Sequence, residues 1–237
     1  MSKTQQDLIQ EIKELNPGHT DHEYERTAKA LSLREELDNA RNPNADGNTI
    51  EEKEEAMRRK WYAYLKELYE DTGSWQRVFS DFVPEEDYIC TVFVSLVEEK
   101  TGKTITSATE LLDATGIRAY GSFNEDKDEV IPYATKATDK QIQADTQEQV
   151  EDLFLRAMEH RYYEALYNLL KNGGNYSDLL AVKPSRFYLP EGSREKAIKQ
   201  TLCIYYSLYD PIGCRPDIKT IAERIDAPYS VVLSAKV

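Results

Sequence analysis

The stretch QEQVEDLFLRAMEHRYYEALYNLLK, Gln147–Lys171, decides the fold class. Val150, Leu153, Phe154, Ala157, Met158, Tyr162, Ala165, Leu166, Leu169 and Leu170 recur three or four residues apart. That spacing lays them along one broad stripe of an α-helix. Thr146 and Gln149 suit a capped start near Gln147, and NGG at Asn172–Gly174 suits a stop.

Working towards the N-terminus, Tyr88–Val97 reads YICTVFVSLV, apolar enough for a strand or a buried helix. Pro84, Glu85 and Glu86 make a good first helical turn and Gly102 a stop, so helix is expected. A short helix is expected at Ser107–Thr115, with Ser107 and Glu110 as a capping box. IRAYGSF and VIPYATK flank the charged turn NEDKDE, which predicts a hairpin of Ile117–Phe123 against Val130–Lys136. Before these, helices are expected over Thr4–Leu15, over Asp21–Ala40, and from a Thr49/Glu52 cap to the stop at Gly73. After the long helix, Tyr176–Pro190 reads as irregular, and Ser193 to about Tyr209 as a helix.

The 237 residues are 40% apolar and 31% charged, with only ten glycines and nine prolines, a globular and helix-friendly composition. No run of about 18 apolar residues is present, so no membrane span is expected. The opening MSKTQQDLIQEIKEL lacks the basic-then-apolar layout of a secretory signal, which predicts a cytoplasmic protein. Cys90, Cys203 and Cys214 are odd in number and lie in or near apolar stretches, as free buried thiols do. The net charge of −13 is unevenly spread. Up to Val182 there are 21 basic and 37 acidic residues, and from Lys183 onward nine basic and six acidic. The expected organisation is therefore an acidic helical body over residues 1–182, with the hairpin near 117–136, and a mildly basic C-terminal region over 183–237.

Little in the chain points to catalysis. TGKT at Thr101–Thr104 lacks the second glycine of a phosphate loop, Val97 standing in its place, and Glu98 and Glu99 would repel phosphate. His19, Asp21, His22 and Glu23 have metal-ligand chemistry but no third histidine or cysteine nearby, and Asp21 suits a helix cap. His160 and Glu164 stand one turn apart, the spacing of an ordinary helical pair. RYY at Arg161–Tyr163 could stack bases, yet sits on the apolar stripe of the long helix. No catalytic residue, cofactor or metal is expected.

The tail, PDIKTIAERIDAPYSVVLSAKV at Pro216–Val237, carries the functional signal. Ile221 is followed by the small Ala222, and Ile225 comes three positions later. Ala227 is pushed out of the helical region by Pro228, and Pro228 suits the start of a second helix. These residues resemble the helix-turn-helix DNA-binding modules. Asp226 stands where that family usually has a glycine, and tolerates a left-handed backbone better than most. The resemblance implies that Val232 and Ala235 point back at the first helix, and that Ser193–Tyr209 supports a three-helix unit. It further implies DNA contacts through Tyr229, Ser230, Leu233, Ser234 and Lys236, with Lys219 and Arg224 among the phosphate anchors, followed by Arg215, Arg194, Lys196 and Lys199.

The expectation is a mainly α protein: a helical N-terminal body, a small β-hairpin and a C-terminal three-helix helix-turn-helix unit. It would be a non-enzymatic, transcription- or replication-associated protein in a larger assembly. Its acidic body would dock a partner protein and its tail would touch DNA weakly. The alternative is an adaptor whose C-terminal helix pair is a protein–protein contact.

Overall fold

The computed structural model describes residues 4–15, 20–21, 24–29, 31–32, 50–81, 87–118, 121–124, 129–132, 137–208 and 218–235. The chain is mainly helical, and among the described residues no helix is long and apolar enough to cross a membrane. It forms two compact units, Met1–Val83 and Pro84–Val237, so residue 182 falls inside the second unit rather than between units.

In the first unit, α1 (Gln5–Leu15) precedes a helical segment at 24–29, then α2 (Ile50–Thr72) and α3 (Trp75–Asp81). The start of α2 is polar and is steadied by pairs one turn apart, Arg58 to Glu54 at 3.2 Å and Arg59 to Glu55 at 2.9 Å. From Met57 on, Trp61, Tyr64, Leu65 and Leu68 bury one face. Gly73 ends the helix at φ 62°, its N–H donating to the Tyr69 carbonyl at 2.8 Å. That tight reversal stacks the Trp75 ring on Tyr69 at 4.0 Å and turns Val78 and Phe79 into the core. Asp21, expected as a cap, instead accepts from Lys13 Nζ at 2.7 Å. That hydrogen bond holds its carboxyl below the usual range. Thr49, His19, His22, Glu23, Leu37 and the rest of 33–40 lie outside the described residues.

The second unit is built on one long helix. In chain order it holds α4 (Asp87–Thr101), α5 (Ala108–Thr115), strands β1 (Gly121–Asn124) and β2 (Glu129–Pro132), and α6 (Asp139–Lys171). There follow α7 (Tyr176–Ala181), a 3-10 turn at Pro184–Phe187, α8 (Ser193–Leu208), α9 (Ile218–Arg224) and α10 (Tyr229–Ser234). α6 packs against α4, α5, α7 and α8. Its burial of Leu153, Ala157, Tyr162 and Leu166 is nearly complete. α4 is helical throughout, and Ile89, Cys90, Val92, Phe93, Val94, Leu96 and Val97 are buried almost all round its circumference. Being buried on every side explains why a helix here carries a strand-like composition. Two partly buried ion pairs tie α4 to α6, Arg156 Nε to Asp87 at 2.7 Å and Arg161 to Glu98 at 2.8 Å. Glu98 also accepts the Ile105 N–H at 3.0 Å, so one carboxylate fixes both the helix pair and the loop after Gly102.

Several expected boundaries move. α6 begins at Asp139, not Gln147, closed by a capping box of Thr138 and Gln141. Thr146 lies inside it and donates to the Ile142 carbonyl at 2.7 Å. Ser107 does cap α5, but Glu110 accepts from the Thr106 N–H at 2.8 Å and hydroxyl at 2.7 Å rather than from Ser107. These hydrogen bonds keep its carboxyl below the usual range. Of the hairpin expected over Ile117–Phe123 and Val130–Lys136, residues 119–120 and 133–136 lie outside the described residues. Only Gly121–Asn124 and Glu129–Pro132 pair, antiparallel, and no larger sheet occurs among the described residues. Ile117 is instead buried just after the left-handed Gly116 that ends α5. Tyr176–Pro190, expected to be irregular, holds α7 and the 3-10 turn, α7 being closed by an Asn175/Asp178 capping box.

Candidate functional site

The C-terminal helix pair is set by a short hydrogen-bonded turn. After α9, the Ala227 N–H donates to the Ala222 carbonyl at 2.9 Å and the Asp226 N–H to the Glu223 carbonyl at 3.4 Å. This pattern requires a left-handed residue between them, and Asp226 takes it at φ 51°. Pro228 stands one residue before α10 as its N-cap, not within its first turn, and its carbonyl accepts the Val231 N–H at 3.0 Å. Ile218, Ile221, Ala222, Ile225, Val232 and Ala235 are all buried, which places the faces of α9 and α10 against one another and α10 against α8. The Tyr176 N–H donates to the Ile225 carbonyl at 2.7 Å, so the end of α9 is fastened to the start of α7.

With Val232 and Ala235 inward, α10 turns Tyr229, Ser230, Leu233 and Ser234 outward. Tyr229 is 52% exposed and Leu233 47%. Ser234 is partly spoken for, its hydroxyl donating to the Val231 carbonyl at 2.8 Å. Lys219 and Arg224 are exposed on α9, and Lys219 lies 3.8 Å from Glu223. Lys236 and Arg215 lie outside the described residues. Two further anchors are held by carboxylates: Arg194 meets Glu191 at 2.6 Å, and Lys196 meets Glu159 of α6 at 2.5 Å. Lys199 has no ion partner among the described residues. The positive charge that can face a phosphate is thus smaller than a count of basic residues suggests.

Sequence reasoning missed the cleft beside α10. It has a volume of about 430 Å³ and runs between α7, the start of α8 and α10. Leu180, Ile198 and Val231 supply its apolar lining, and Glu191, Arg194, Glu195 and Lys199 its charge. Leu180 is 41% exposed, a large apolar side chain turned to solvent beside a polar face. The signal was hidden because α7 was not recognised as a helix.

Cys90, His160, Thr101 and Tyr162 each make structural contacts. Cys90 is buried, and burial pushes its thiol up to about 12, so it stays protonated and unreactive at neutral pH. His160 Nε2 lies 3.7 Å from Glu164, and the imidazole is buried between Tyr88 and Tyr163. Thr101 and Gly102 form the end of α4, the Thr101 hydroxyl donating to the Val97 carbonyl at 2.7 Å. Tyr162 donates to the Val182 carbonyl at 3.0 Å and packs on Phe187, a core tyrosine rather than a stacking platform. No family model, curated protein or solved structure matches the chain.

Proposed function

We propose that the protein is a non-enzymatic factor of transcription or replication that meets duplex DNA weakly through α10. In this reading α9, the turn at Asp226 and α10 act as a helix-turn-helix. The acidic segment up to Val182 docks a protein partner with a basic surface. One observation carries the reading. α10 buries Val232 and Ala235 on its neighbours and leaves Tyr229, Ser230 and Leu233 free to enter a groove. Affinity stays low because Lys219 and Arg194 already face carboxylates, and because the chain carries a net charge of −13. The test is a gel shift of the whole chain on duplex DNA with Ser230→Glu, which sets a carboxylate on the exposed face without touching the core. The substitution should abolish the shift and leave thermal stability unchanged.

A second reading, an adaptor without DNA binding, is favoured by the exposed Leu180 and Leu233 and by the cleft under Val231. It stands if the whole chain shifts no duplex even at low salt.

A further inference from the structure

The 3-10 turn at Pro184–Phe187 carries a residue that the fold does not explain. Tyr188 sits at φ 58°, a left-handed backbone that bulky side chains rarely take. It is held there by its N–H, which bonds the Pro184 and Ser185 carbonyls. Glycine would adopt this backbone without strain. Packing does not account for the tyrosine either, since its side chain is 44% exposed. The residues around it do pack: Pro184 and Leu189 are buried, and Phe187 lies 5.2 Å from the Tyr162 ring. A rigid, inward-anchored turn therefore presents a strained aromatic ring to solvent, the kind of outlier that marks a binding site.

The same turn presents two cations. Lys183 is its N-cap, and the Arg186 N–H donates to the Lys183 carbonyl at 3.1 Å. Lys183, extended at ψ 129°, stands immediately before the turn, and Arg186 is the turn's third residue. Both are exposed, and neither has an ion partner among the described residues. In a chain of net charge −13, Arg194, Lys196 and Lys219 face carboxylates, whereas Lys183 and Arg186, like Lys199, have no ion partner among the described residues, and these two stand within five residues of an exposed ring.

We propose that Lys183, Arg186 and Tyr188 form a contact for single-stranded nucleic acid, the cations meeting backbone phosphates and the tyrosine ring stacking on a base. A planar, anionic ligand is what this combination fits, and stacking on tyrosine tolerates any base. The inference shares only its class of ligand with the proposed role of α10, and it stands on different residues.

Fluorescence anisotropy of the whole chain with a labelled oligothymidine, across a salt series, tests it. The wild type should bind. Tyr188→Gly should weaken binding about tenfold, as loss of one base stack does, with no loss of thermal stability because glycine suits that backbone. Tyr188→Phe should bind like the wild type. The pair Lys183→Gln and Arg186→Gln should flatten the salt dependence by about 1.4 in log–log slope, two phosphates' worth on a single strand. Ser230→Glu should leave oligothymidine binding intact while abolishing duplex binding, which separates this site from α10. The proposal is overturned if the wild type does not bind oligothymidine, or if Tyr188→Gly binds as well as Tyr188→Phe. It is equally overturned if polyglutamate at equal charge inhibits the glycine variant and the wild type alike and competes as well as the oligonucleotide, which would make the turn a contact for acidic protein.

Discussion

The Tyr176 N–H and the Ile225 carbonyl meet at 2.7 Å, joining the first residue of α7 to the end of α9 across about 50 residues of chain. The bond explains why the C-terminal helices belong to the same compact unit as α6. The turn at Asp226 is fastened to the segment that leaves α6, while Tyr162 holds that segment's far end through Val182. A fragment beginning at Lys183 would lack both contacts, so the helix pair is best tested in the whole chain.

Ala222→Glu should destabilise the protein by on the order of 3 kcal/mol. Ala222 is buried where α9 meets α10, and a carboxylate there would have no partner in the wild-type packing. Urea unfolding of the second unit's signal checks this. An unchanged midpoint would mean that α9 and α10 do not pack as described.

At the turn, Asp226→Gly should stabilise the protein slightly, by about 0.5 kcal/mol, whereas Asp226→Val should cost about 1–2 kcal/mol. The cause is the φ of 51°, which glycine accepts freely and a β-branched residue resists. Thermal melts of the two variants should move in opposite directions.

Cys90 should resist thiol reagents at pH 8 in the folded protein and react on unfolding, because burial raises its thiol to about 12. The linkage has a definite sign. A group whose folded pKa lies above its unfolded value of 9.0 favours folding fully below pH 9. That contribution is lost as pH rises from about 9 towards 12, so stability should fall over that window. Cys90→Ala should show a shallower fall, measured by urea unfolding at pH 8 and pH 10.

Removing Arg161 should cost about 1–3 kcal/mol, since it would leave Glu98, only 21% exposed at its side chain, without its cation. Arg161→Met and Glu98→Gln together should cost less than the sum of the two alone. A double-mutant cycle in urea measures the difference. An additive result would mean that the pair is not coupled across α4 and α6.

Much of the helical content was legible because apolar residues recur with a helical period. Trp61–Leu68 and Val150–Leu170 fall on described helices, and Tyr88–Val97, an unbroken apolar run without a period, was read as helix from its flanking start and stop signals. What the period could not show were helical turns without an apolar face. Asp139–Thr146 has only Ile142 and Ala144 as apolar residues, too few for a stripe, and the Thr138/Gln141 capping box closes the start of α6. α7 is only six residues long, too short for a periodic signal, and is likewise set by the capping of Asn175 and Asp178. The inward residues of α9 and α10 were legible because each has a fixed place in a short pattern. The cleft and the Lys183–Tyr188 turn were not, because the first depends on α7 and the second on a backbone angle that sequence does not specify.

The central claim is that the exposed face of α10 touches duplex DNA, and one titration tests it most directly. The whole chain and its Ser230→Glu variant are titrated onto a labelled duplex at ~0.05 M and ~0.15 M salt. The account predicts wild-type binding with a Kd on the order of 10–100 µM at the higher salt, and a log–log salt slope of about −2 to −3 for two or three phosphates. It predicts no binding by Ser230→Glu at either salt. A wild type that fails to bind at ~0.05 M, or a variant that binds as well as the wild type, would contradict it.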